Sequence, residues 1–429
     1  MNLSICDSLM GSGKTSAAIN YMNRHKDMRF IYITPFLKEV ERIIESCNAE
    51  KMENFYIGDY YIDDDSLFPE SIYVKELCDG FCEPSKINGR KIEGLKHLLK
   101  DNRNIVTTHS LLREFDKEII ELISERNYTL ILDEVTNVVE PYKISSKDKE
   151  YLFEKYVKVS DNNFLEWTDS EYTGKFEKEK KLCELNALSV YGKENNFFMW
   201  VLPIKSFSCF KKIMILTYMF DAQLQKYYFD MNNITYKYYI ASKDNKGNYC
   251  FKKVDSLPKA KIDKSLINIY EGNYNDIGKE VKKQNPLSKT WYQKNEKDNT
   301  GELENLQHNV YNYIRNIAKA KSKDIMWSCY KDYRKYIKGN GYTKSFFEFN
   351  IRATNDLKDR STVCYLVNLY YQPYIVNFFK ERNITLDNDK YALSELLQFL
   401  WRSRIRENKP INLYLPSERM RKLLIDWLK

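Results

Sequence analysis

Gly11-Ser12-Gly13-Lys14-Thr15 places two glycines just ahead of a lysine and a hydroxyl, near the start of a 429-residue chain. Glycines let a turn fold so that successive backbone N–H groups converge on an anion. A lysine ending such a turn reaches β- and γ-phosphates, and the next hydroxyl can ligate Mg²⁺. The chemistry implied is triphosphate binding, with Gly11, Ser12, Gly13, Lys14 and Thr15 as the cradle and Thr15 also facing the metal. The longer G-x-x-x-x-G-K-[ST] pattern begins with glycine, and this chain has Ser8 there.

Asp133-Glu134 is the second pair with chemical meaning. It follows the apolar run Leu130-Ile131-Leu132, which delivers both carboxylates to the end of a buried strand. Downstream of a phosphate cradle, Asp133 is expected on the metal side through water. Glu134 is expected to orient and deprotonate an attacking water.

The elements that must position these residues are legible around them. NLSICDS alternates as a short strand, and SAAINYMNRHK has helical spacing through Ala17, Ala18, Tyr21 and Met22. RFIYITPF, NIVTTHSLL, YTLILDEV and KKIMILTY read as further strands. Near-continuous apolar strands separated by helical stretches imply an α/β fold with a parallel sheet covered on both faces. The charged stretch 141–205 reads as a helical insertion. SLINIYEG, KTWYQK, DIMWSCY, VCYLVN and INLYLP are expected strands of a second parallel sheet. The domains are expected at 1–235 and 236–429.

The order of these signals resembles superfamily 2 helicases. GSGKT, a strand ending Thr34-Pro35, Thr107-Thr108-His109, Asp133-Glu134-Val135-Thr136 and Leu216-Thr217-Tyr218 are similar to their motifs I, Ia, Ib, II and III. KDIMWSCYKDYRKYI looks like motif IV, Arg352-Ala353-Thr354-Asn355 like motif V, and YALSELLQFLWRSRIREN like motif VI. RATN, ALSELLQ, WRSRIR and LYLPSERMRKLLIDWL together resemble helicases of bacteriophages and prophages. The resemblance implies two RecA-like parallel-sheet domains of the P-loop NTPase class, with ATP and Mg²⁺ as cofactors. It also implies ATP-dependent translocation on nucleic acid in phage replication or recombination. DNA, single-stranded or forked, is the expected strand ahead of RNA, with other replication proteins as further partners.

In this resemblance Gln398, Arg402 and Arg406 complete the catalytic set. An arginine from outside the phosphate cradle neutralises charge in the transition state, contributing on the order of 10³–10⁵ in rate. The usual spacing is Q-x-x-G-R-x-x-R, whereas here Trp401 precedes Arg402, and Arg404 and Arg406 compete for the second place. On a helix Arg406 shares the face of Arg402. Thr34, Thr108, His109, Thr354 and Asn355 are the expected contacts to the strand backbone, which would be gripped without reading sequence. The cradle opens so early that an adenine-reading motif of the DEAD-box type has no room before it.

Composition bounds these readings. Net charge is +8 from 68 Lys+Arg and 60 Asp+Glu, which permits a nucleic-acid partner without requiring one. No run of 18 apolar residues exists, so no membrane partner is expected. The nine cysteines are scattered, and the close pair Cys78 and Cys82 has no second pair at a zinc-like distance. A reducing cytoplasm is expected, that of a bacterial host if the chain is phage-encoded. A DNA-packaging ATPase is a rival reading, but Asp356, Asp359 and Asp387 form no tight nuclease-like cluster. A binder with a decayed nucleotide site is another, against which stand intact Lys14, Thr15, Asp133 and Glu134.

Overall fold

The computed structural model describes residues 1–56, 80–260, 262–280, 284–350 and 357–429. In chain order the first strands are β1 (Leu3–Asp7), β2 (Phe30–Thr34), β3 (Phe81–Cys82), β4 (Asn104–Thr108) and β5 (Thr129–Asp133). The insertion adds β6 (Val139–Pro141), β7 (Val157–Val159), β8 (Leu165–Trp167), β9 (Leu188–Tyr191) and β10 (Phe197–Val201). Then come β11 (Lys212–Thr217), β12 (Tyr236–Lys243) and β13 (Tyr249–Val254).

The large sheet has the order β13-β12-β1-β11-β5-β2-β4-β3, parallel except for β13. Every residue of β1 and β2 is buried, because helices cover a parallel sheet on both faces. One such face gathers Cys6, Ala18, Met22, Tyr32, Val40, Val106, Ile131 and Leu216.

The insertion is mixed, which corrects the expectation of a helical one. β6, β10 and β9 form an antiparallel sheet, and β7 pairs with β8. Its core is Leu152, Leu165, Leu188, Val190 and Phe198. The charged KFEKEKK run yields only the eight-residue helix Glu177–Glu184, while aromatic and β-branched residues in LSVY and FFMWV make strands.

Two compact units divide the chain, Met1–Leu257 with Pro373–Leu386, and Pro258–Gln372 with Asp387–Lys429. The expected boundary at 235 therefore moves. β12 pairs in register with β1, which draws the whole β12–β13 hairpin into the first unit. The second unit holds β14 (Ile267–Ile269), β15 (Ile325–Ser328), β16 (Thr362–Tyr365) and β17 (Ile411–Tyr414) in a parallel sheet ordered β14-β17-β16-β15. Four of the five expected segments supply these strands. KTWYQK does not: Lys289–Asp298 is a helix, capped by Ser288, whose hydroxyl accepts from the Trp291 amide.

Tyrosine builds much of the second core. Tyr292 and Tyr313 are buried there with Leu306, Val310, Trp327 and Leu366. The Tyr292 hydroxyl donates to the Leu366 carbonyl at 2.8 Å, so the ring is buried without leaving its polar end unsatisfied. Among the described residues no helix is long and apolar enough to cross a membrane.

Candidate functional site

β1 ends at Asp7, and the glycine turn carries the chain into helix Lys14–Arg24. Gly11 and Gly13 take φ of 82° and 90°, backbone that side chains rarely adopt. A Cβ on Gly13 would lie 2.2 Å from the Tyr249 ring, so only glycine fits. Lys14 is buried, and its Nζ donates to the loop's own carbonyls, Ser8 O at 2.6 Å and Leu9 O at 3.3 Å. Ser12 Oγ is buried with no hydrogen-bond partner. A lysine turned onto its own loop and an orphaned hydroxyl beside it suit a phosphate group that would satisfy both. Ser8, in the place of the expected glycine, has its own work: its Oγ accepts from the Ala241 amide on β12 at 2.9 Å.

β11 lies between the cradle strand β1 and the acidic strand β5. Two strand spacings, roughly 9–10 Å, therefore separate the ends of β1 and β5. β11 also fixes both sides directly: Thr217 O accepts from the Ser8 amide at 3.0 Å, and Leu216 O accepts from the Glu134 amide at 2.8 Å. Glu134 takes φ 61°, a left-handed conformation costly for a residue with a side chain, and such outliers cluster where function demands them.

Asp133 accepts a hydrogen bond from the Tyr32 hydroxyl at 2.9 Å. Burial pushes its carboxyl up to about 7, and the neighbouring Glu134 charge adds to the rise, while the Tyr32 bond and Lys14 oppose it. A cation bound there would restore the ionised form. Thr15 is half-buried at the start of its helix.

Asp7 is a site residue that the motifs do not reveal. Its two carboxylate oxygens accept from the Met219 amide at 2.9 Å and the Phe220 amide at 2.7 Å. It thereby clamps the turn after β11, where Met219 is left-handed at φ 53°. Burial raises its carboxyl, and those two amides hold the rise down. Tyr32 and Tyr249 were equally invisible, since their roles depend on neighbours distant in sequence.

The expected strand contacts fare unevenly. Thr34 is fully buried and its Oγ1 has no hydrogen-bond partner, so it does not present a hydroxyl to a strand. That expectation is corrected, because Thr34 has no surface open to solvent. Thr108 Oγ1 pairs with Ser110 Oγ at 2.8 Å at the start of the short helix His109–Leu112. A ring nitrogen of His109 bonds the Asp133 carbonyl at 2.9 Å, which ties it to the acidic turn. Thr354 and Asn355 lie outside the described residues.

In the second unit Gln398 is buried on helix Asn388–Leu400, its Nε2 donating to Ser394 Oγ at 3.4 Å. The helix ends before the arginines. Arg402 is half-buried in the turn that follows, and Arg404–Glu407 is a separate 3₁₀ segment carrying exposed Arg406. Arg402 and Arg406 therefore do not share one α-helical face, which corrects the expectation from i,i+4 spacing. Arg404 is held structurally, donating from Nε to the Pro410 carbonyl and from its amide to Arg360 O at 3.1 Å.

Comparison with known proteins places the chain in a lineage. Residues 261–428 match the YonV C-terminal Rossmann-like domain, and residues 139–200 match the YonV middle domain, the segment identified above as the insertion. Among solved structures, S. tokodaii Xpd4 aligns with 99% of this chain and 94% of its own at a TM-score of 0.46 and 11% identity. The DUF1998 helicase MrfA, solved bound to DNA and AMPPNP, aligns with 96% of this chain and 45% of its own at a TM-score of 0.31 and 12% identity. The SPbeta prophage-derived uncharacterized protein YonV of Bacillus subtilis (strain 168) is 38% identical across 99% of this chain and 98% of its own length. Matched from end to end by that relative, the chain belongs to the YonV family.

Proposed function

We propose that the chain is an ATP hydrolase that uses turnover to move along nucleic acid, as a helicase or translocase acting on DNA in phage replication or recombination. One observation carries this reading: consecutive carbonyls of β11 hold the Ser8 amide beside the cradle and the Glu134 amide beside Asp133. A phosphate cradle and an acidic pair tied to the same strand are the two halves of a phosphoryl-transfer site.

In this reading Gly11–Thr15 bind the triphosphate of ATP, with Lys14 exchanging its loop carbonyls for phosphate oxygens. Thr15 and Asp133 hold Mg²⁺, which would neutralise phosphate charge. Glu134 takes the proton of the attacking water, and its left-handed backbone aims the carboxylate. Gln398, Arg402 and Arg406, from the second unit, are proposed to complete the site. A charge supplied from a separate unit makes hydrolysis depend on domain movement. Thr108, His109, Thr354 and Asn355 remain proposed strand contacts, and single-stranded or forked DNA the proposed partner. The prophage origin of the relative favours the cytoplasm of a bacterial host as the compartment.

The test is ATP turnover by the full chain with Mg²⁺, with and without single-stranded DNA. Stimulation by DNA supports the motor reading. ATP turnover that DNA leaves unchanged would reduce it to a nucleotide hydrolase with another partner, and no turnover at all would remove it.

A further inference from the structure

The insertion carries a pocket that the proposed ATP chemistry does not use. Its volume is about 570 Å³, within the range that encloses a small ligand or a few chemical groups of a larger one. Tyr142, Lys143, Lys149, Tyr191, Phe197 and Tyr374 are among its lining, and the lining contains no carboxylate. Tyr374 comes from helix Pro373–Lys380, the segment that belongs to the first unit although its neighbours in sequence belong to the second.

Phe197 is the unusual member. It is 54% exposed, whereas apolar rings are normally covered. It is also held in place. Its ring stacks on buried Tyr191 at 4.9 Å between centroids and 19° between planes. Gly192, at φ 87°, lets that ring approach, since a Cβ there would meet it at 2.9 Å. The Gly192 amide is fixed in turn by the Glu381 carboxylate at 3.0 Å. A rigid aromatic face turned to solvent is a platform for another flat ring.

The charges beside the platform suit a phosphate-bearing partner. Lys143 is exposed. Lys149 Nζ donates to the Asn196 carbonyl and side chain at 3.2 and 3.1 Å, which leaves one of its three protons unspent. Two carboxylates stand nearby, Glu381 accepting from the Gly192 amide and Glu179 from the Tyr142 hydroxyl; these bonds leave their charge in place, so a phosphate backbone is favoured only on the Lys143–Lys149 side. Rings for bases and cations for the backbone are the combination by which proteins hold single strands without reading sequence.

We propose that this pocket of the insertion binds single-stranded DNA, with a base stacked on Phe197 and the backbone phosphates near Lys143 and Lys149. The proposal rests on the motor reading for its choice of strand. It gives the insertion a role in gripping that strand away from the ATP site.

The test uses the full chain and a fluorescein-labelled oligo-dT, titrated by anisotropy without nucleotide, alongside DNA-free ATP turnover. Phe197→Ala should weaken oligo-dT binding roughly tenfold, the loss of one stacked base. Lys143→Glu, at an exposed position, should weaken binding and lower the salt dependence by about 0.7 in log–log slope for each phosphate that the variant no longer neutralises. Neither should change DNA-free turnover. Crosslinking to iodouracil-substituted DNA should label the peptide containing Phe197. Wild-type binding by both variants, crosslinks confined to other peptides, or no oligo-dT binding by the wild type would each overturn the proposal. The two readings fail separately. An inactive ATP site with Phe197-dependent binding removes the motor alone, and DNA-stimulated turnover indifferent to Phe197 removes the pocket alone.

Discussion

The amide of Glu134 donates to the carbonyl of Leu216 at 2.8 Å, and the next carbonyl, Thr217, receives the Ser8 amide at 3.0 Å. One strand end thus sets the spacing between cradle and acidic pair. Any change that shifts β11 along its axis moves both halves of the proposed site together.

The left-handed backbone of Glu134 separates its chemistry from its structural cost. Such a conformation costs about 1–2 kcal/mol for a residue with a Cβ, and glycine gives back part of any relief through its greater unfolded freedom. Glu134→Gly should therefore raise the melting temperature by about 1–3 °C while abolishing turnover. Glu134→Gln should keep wild-type stability and nucleotide binding and lose turnover. Calorimetry and a nucleotide-binding titration check the two variants.

Asp133 predicts a pH signature in metal-free protein. Burial holds its folded carboxyl near 7, above its ordinary value near 4. Between those values the folded form keeps a proton that the unfolded form has lost, so this residue's contribution to stability falls as pH rises from about 4 to about 7. Above that it is level. Asp133→Asn removes the titration, so the variant should gain stability relative to wild type on going from pH 4 to pH 8. Melting temperatures of both proteins in a chelator across that range check it; parallel curves would refute the assignment.

Asp7 holds the amides of Met219 and Phe220. Asp7→Ala leaves both unsatisfied, at about 1–3 kcal/mol each. The variant should melt several degrees lower. Asp7→Asn keeps one acceptor and should fall between. Because the clamp fixes the turn after β11, turnover should fall further than stability alone explains at a temperature where the variant is fully folded.

Arg402 and Arg404 should part company. Arg404 donates from Nε to the Pro410 carbonyl, which anchors the base of its guanidinium, so Arg404→Ala should lower stability and leave turnover per folded molecule near wild type. Arg402→Ala should slow hydrolysis by about 10³-fold or more while ATP affinity stays within a few-fold. Single-turnover kinetics with separately measured affinity distinguish the two.

Much of the proposed site is legible in the sequence because its chemistry is local. Gly11–Thr15 and Asp133–Glu134 announce themselves within a few residues, and apolar runs mark the strands that carry them. What escaped depends on distant partners. Asp7 acts through amides 212 and 213 positions away. The β12–β13 hairpin belongs to the first unit because of its pairing with β1, which no local pattern records. KTWYQK carries a β-branched residue and two aromatics, as strands do, but Ser288 before it was the helix signal that should have prevailed. Pro373–Leu386 returns to the first unit through contacts such as Arg382 Nη2 to Ser189 Oγ at 2.8 Å, again invisible in sequence. Thr34 ends its strand as expected, yet the sheet's cover buries it.

The most direct measurement is Mg²⁺-dependent ATP turnover by wild type, Lys14→Ala and Glu134→Gln, with nucleotide binding measured in parallel. Wild type should bind and turn over ATP, Lys14→Ala should do neither, and Glu134→Gln should bind without turnover. Turnover at the wild-type rate by either variant would contradict the claim that the cradle and the acidic pair form one hydrolytic site.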